Sequence, residues 1–96
     1  LAKMKIASMA LLQDNEKGSV FTFDNYKLVF RKKGTISGEG TKIPDGKLVL
    51  LQGSAEIREG EQIQTVEGPA VIVFSSENNN HIIKALTDIM FLELRG

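Results

Sequence analysis

The chain is punctuated by glycine or Asx roughly every six to twelve residues, and between those marks lie short runs of β-prone residues. Val20 to Phe23, Tyr26 to Arg31, Lys47 to Leu51, Ala55 to Arg58, Gln62 to Val66, Ala70 to Phe74, His81 to Leu86 and Ile89 to Leu94 each read as a strand. Asn15 to Gly18, Asp24-Asn25, Gly34, Gly38, Gly40, Asp45-Gly46, Gly53, Gly60, Gly68, Asn78 to Asn80 and Asp88 occupy the gaps. Short, evenly spaced strands with turn residues between them predict an all-β sandwich or barrel. Met4 to Leu12 tolerates a helix or a strand, and an opening strand pairing at the barrel edge is the favoured reading.

Two hairpins are expected. Ser54 to Arg58 and Gln62 to Val66 alternate about a Glu59-Gly60-Glu61 turn, and a Gly in so short a loop is a hairpin signal. Ile82 to Leu86 and Ile89 to Leu94 flank Thr87-Asp88 as the second. The irregular stretch Gly34 to Gly46 is expected to form a loop over a barrel mouth.

Leu48 to Leu51, Val71 to Phe74 and Ile82-Ile83 are apolar without alternation, so both faces of those strands are expected to be covered. With no long helix in the sequence to supply the second cover, a second copy of the chain is expected to do so, in an isologous homodimer. A lopsided monomer with deep sandwich strands is the rival.

Ninety-six residues bound the chain to a single domain, 1–96, large enough for one real core. Twelve Lys plus Arg balance twelve Asp plus Glu, which argues against a nucleic-acid or membrane-surface partner. The local run Arg31-Lys32-Lys33 reads as a solvated strand end. The absence of cysteine removes disulfide, zinc-ribbon and thiol chemistry and fits a cytoplasmic setting. No apolar run approaches the ~18 residues of a spanning helix, and no leader pattern is expected at the start.

The order from Ile43 to Leu94 resembles the small single-domain cupins. It runs Ile43-Pro44-Asp45-Gly46, an apolar strand ending at Gly53, a hairpin, Gly68 ahead of Val71-Ile72-Val73-Phe74, a polar turn, His81 and a closing pair of strands. The resemblance implies a double-stranded antiparallel β-barrel of jelly-roll topology with a central pocket. Metal-bearing members carry a His-x-His pair with an acidic residue, and one further His after a turn. Carried over, the paired histidines fall near Gly40 and Lys42, and the acidic position at Gly46 or Asp45; His81 alone matches. Around His81 the family's Gly and Pro are replaced by Ala70 and Ser76. His81 with Asp45 or Glu93 supplies one imidazole and one carboxylate, too few for a tight site. Neither metal nor cofactor is expected.

The leading expectation is a barrel that binds a small molecule in its pocket without a metal. His81, Ile83 and Ala85 share one side of their strand, which the resemblance turns inward. Val49 and Leu51 line the facing strand, or else Leu48 and Leu50, since an all-apolar run does not decide between them. The second expectation is a metal-independent isomerase, epimerase or lyase with His81 as the catalytic acid-base group. Members that work this way pair histidine with tyrosine, and Tyr26 is the only tyrosine here. The third is a dimeric scaffold or interaction module. The plainest role for His81 is a half-buried ring hydrogen-bonded to backbone beside the Asn78 to Asn80 turn. Met4, Met9 and Met90 are gap-fillers, and Ser75 and Ser76 form no nucleophile constellation.

Overall fold

The computed structural model describes residues 3–38, 47–74 and 81–94. Within them lie β1 (Ala10–Asn15), β2 (Gly18–Phe23), β3 (Tyr26–Arg31), β4 (Ile36–Ser37), β5 (Lys47–Gln52), β6 (Ser54–Glu59), β7 (Gln62–Glu67), β8 (Ala70–Val73), β9 (His81–Ala85) and β10 (Ile89–Leu94). All pairings are antiparallel. They make a six-stranded sheet, β1-β2-β3-β10-β5-β8, and a four-stranded sheet, β4-β9-β6-β7. The last strand, β10, sits between β3 and β5, and β9 between β4 and β6, which is the interleaving of a jelly roll. The expected all-β double-stranded fold is present, and no ladder closes around a full barrel among the described residues.

Alternation builds the core. Along the inner face of the large sheet, Val20, Val29, Phe91, Leu50 and Ala70 stand opposite one another in a single row. From the small sheet Ala55, Ile57, Ile83 and Ala85 face them, all buried. Leu48 and Leu50 are 1% exposed, whereas Leu51 is 37% exposed. The inward pair on β5 is therefore Leu48 and Leu50. Val49 and Leu51 fall on the outer face, since neighbouring residues of a strand point to opposite sides.

Two connections differ from expectation. Thr87-Asp88 is not a hairpin turn. It carries the chain from β9 in the small sheet to β10 in the large one. A matching crossing at Gly53 leads from β5 to β6, and the two corners are tied together. Ser54 N donates to Thr87 Oγ1 at 3.0 Å, and Leu86 N donates to Ser54 O at 2.9 Å. Gly53, at φ +96°, lies so close that a Cβ there would overlap the Asp88 carbonyl oxygen. The opening strand begins at Ala10 rather than near Met4. The Asn15–Gly18 turn sets its register, and β2 ends at Phe23, so residues before Ala10 find no partner strand. The Ser54–Val66 hairpin forms as expected, with Glu59 opposite Gln62 and Gly60 at φ 61°.

Candidate functional site

His81 opens β9 and points between the sheets. It is 2% exposed, and among the described residues its Nε2 has no hydrogen-bond partner. The half-buried, backbone-bonded ring expected for a turn cap is not what the fold builds at this nitrogen. The ring lies 4.6 Å from the Phe74 ring, centroid to centroid, at 38°. Gly38 covers its edge: a Cβ there would sit 3.4 Å from Cδ2 and 3.6 Å from Nε2. Burial pushes the His81 imidazole below its ordinary value of 6.5; the Glu93 and Glu59 carboxylates oppose that shift without reversing it. The ring is thus neutral near pH 7.

His81 is part of the lining of a cavity of about 190 Å3 between the sheets. Val20, Val29, Ile83 and Phe91 form its apolar walls, and Gln13, Lys27, Arg31, Ser37, His81 and Glu93 bring polar groups. The strand pattern explains this mixture. On β3, Lys27, Val29 and Arg31 face inward while Tyr26, Leu28 and Phe30 face out. On β10, Glu93 shares the inward side with Ile89 and Phe91. Lys27 and Glu93 stand directly opposite each other across the β3–β10 ladder. A register shift between Leu11 and Gln13 brings consecutive residues, Leu12 and Gln13, onto the same cavity.

Arg31 closes one end. Its Nε donates to Ser37 Oγ at 3.3 Å and its Nη1 to the Phe30 carbonyl at 3.2 Å. Burial lowers its pKa, and Glu93 acts in the opposite direction. Arg31 is half-buried rather than the solvated strand end expected of Arg31-Lys32-Lys33. Beyond it a second hollow of about 310 Å3 shares Gln13, Arg31, Ser37 and Gly38 with the first and opens outward. A larger groove of about 350 Å3 runs between the free edges of β7 and β8, past Phe74 and Glu59. The buried His81 imidazole and the Arg31 guanidinium both lie on the smaller cavity instead.

Of the ligand-lining residues expected from sequence, His81, Ile83 and Ala85 lie together inside, with His81 and Ile83 on the cavity itself. Val49 and Leu51 do not reach it. Tyr26 is 42% exposed on the opposite face of its sheet, so no His–Tyr pair forms. Asp45, Gly40, Lys42, Gly46, Ser75, Ser76 and Asn78 to Asn80 lie outside the described residues. Lys27, Arg31 and Ser37 were not singled out as site residues by sequence. On β3 the inward side is the more polar one, which inverts the usual pattern, and the only hint is that Leu28, Phe30 and Tyr26 leave no polar side at all opposite the charges.

A resident metal does not fit these side chains. Among the described residues no three His, Cys, Asp or Glu groups converge, and His81 with Glu93 falls short of the donor set a divalent ion needs.

The architecture recurs in solved structures. The capsular polysaccharide assembling protein CapF from Staphylococcus aureus superposes with a TM-score of 0.72 at 15% identity, over 93% of this chain and 28% of that one. KdgF from a Halomonas species gives 0.70 at 13% identity, over 88% of this chain and 84% of its own. A cupin superfamily protein from Desulfitobacterium hafniense gives 0.65 at 17% identity, over 100% of this chain and 84% of that one. Neither a family model nor a curated protein sequence matches the chain. The chain has the cupin fold. In particular it is a small cupin-like domain that spans under a third of CapF and most of the length of the other two. No helix among the described residues is long and apolar enough to cross a membrane.

Proposed function

We propose that the protein binds a small polar molecule in the cavity between its sheets, beside His81 and without a metal. One observation carries this reading: a fully buried Nε2 lacks any partner among the described residues, and His81 lines a cavity. A buried polar atom left unpaired costs about 1–3 kcal/mol, a cost that a bound ligand group relieves. The cavity lies below the ~300 Å3 at which ligand pockets usually begin, so the ligand is small. The test is a thermal-melting screen of small polar compounds on the wild type and on His81→Leu. Compounds that raise the wild-type Tm and leave the variant unmoved support the reading. A screen in which every hit stabilises both proteins equally contradicts it.

A second reading concerns the partner. Leu11, Phe21, Leu28, Leu92, Val49 and Val71 form one unbroken apolar row across all six strands on the outer face of the large sheet. Around it Phe23 is 43%, Tyr26 42%, Phe30 37%, Val71 62% and Val73 68% exposed. We infer that a second copy of the chain covers this face. So many large apolar side chains exposed together on one sheet face mark an interaction surface.

A further inference from the structure

The charges around the cavity define the class of ligand. Three charged side chains line the cavity, Lys27, Arg31 and Glu93, and Glu93 stands opposite Lys27 across the β3–β10 ladder. The same carboxylate also acts on Arg31, so two cations share one Glu93. The Arg31 guanidinium hydrogen-bonds to the neutral Ser37 hydroxyl and the Phe30 carbonyl. Two cations against one carboxylate leave the lining with one net positive charge, and the half-buried Arg31 guanidinium is one of the two cations. A planar guanidinium pairs with a carboxylate in matched geometry. In the same lining His81, whose Nε2 is unpartnered among the described residues, offers one neutral hydrogen-bonding position.

The geometry points to a small monocarboxylate bearing a hydroxyl group as the ligand: its carboxylate engages Arg31 and its hydroxyl engages His81 Nε2. This rests on the ligand-site reading above and specifies it. A single compensating charge suits a monoanion. A phosphate dianion would bring two negative charges to a lining with one net positive charge. The cavity of about 190 Å3 admits a compact hydroxy acid, and the adjoining hollow past Arg31 and Ser37 provides the way in.

Calorimetric titration with glycerate, glycerol and inorganic phosphate separates the alternatives, read alongside the His81 ring resonances. Glycerate is expected to bind the wild type at least about tenfold more tightly than glycerol or phosphate, and Arg31→Gln to remove that advantage. An amide spectrum of Arg31→Gln without ligand establishes that it folds. Should it not fold, the wild type suffices, because its glycerate affinity falls with added KCl while its glycerol affinity does not. Equal binding of glycerate and glycerol, or tighter binding of phosphate, overturns the carboxylate assignment and leaves the cavity as a ligand site. Failure of all three to move the His81 resonances at tens of millimolar overturns both.

Discussion

Gly38 lies edge-on against the His81 imidazole, with its backbone turned to φ +86°. The contact couples the residue that follows edge strand β4 to the one buried polar side chain in the described core. A Cβ at position 38 would stand 3.1 Å from the His81 carbonyl oxygen. Gly38→Ala is expected to lose about 1–2 kcal/mol, chiefly from the left-handed backbone, and to shift the His81 ring resonances. Gly53→Ala should cost more, because its Cβ overlaps backbone at the corner that joins the sheets. Denaturant midpoints for the two variants check both the order and the size.

His81 should behave as a residue kept at the expense of stability. Replacing it with leucine removes an unsatisfied nitrogen and retains most of the volume. His81→Leu is expected to leave stability unchanged or raise it by about 1 kcal/mol, while abolishing ligand binding. A clear loss of stability in urea unfolding would mean that Nε2 is engaged in the native protein.

The pH dependence follows from the same burial. The folded His81 holds its proton less tightly than the unfolded chain, whose histidine titrates near 6.5. Between the folded value and 6.5 the unfolded state binds more protons, so stability rises with pH across that window and is lost on acidification. Below the folded value the loss levels off. Wild-type Tm should therefore fall more steeply than that of His81→Leu as pH drops from 7.5. The difference between the two curves cancels carboxylates common to both.

The outer sheet face makes a separate prediction. Val71 and Val73 lie on the free-edge strand of that face and are its most exposed members. Sedimentation equilibrium should give a mass twice 10.6 kDa for the wild type, and the single-chain mass for Val71→Lys/Val73→Lys. A monomeric wild type at micromolar concentration contradicts the homodimer.

The parts legible in sequence were those where one physical signal acted alone. Gly60 between alternating runs set the β6–β7 hairpin, and the order of strands and glycines from Ile43 onward resembled a cupin. His81, Ile83 and Ala85 obeyed simple alternation. Legibility failed where two signals competed. Leu48 to Leu51 is apolar on both sides because one side meets the core and the other lies on an exposed apolar face, so composition could not orient it. Thr87-Asp88 has the residues of a turn, but its partners are Ser54 and Gly53 at another corner, a relation distant in sequence. Arg31 read as a solvated strand end, and Lys27 carried no signal of its own, because the opposite side of β3 is more apolar. Their inward direction is fixed by the register of the whole sheet.

The most direct test of the ligand-site account is a long-range 1H–15N spectrum of the His81 ring, recorded without ligand and then through a glycerate titration. The account predicts a neutral imidazole at pH 7 and a saturable shift of Nε2, with the amides of Val71 and Val73 unmoved. A charged ring at pH 7, or an Nε2 resonance that stays fixed while glycerate moves signals elsewhere, would contradict it.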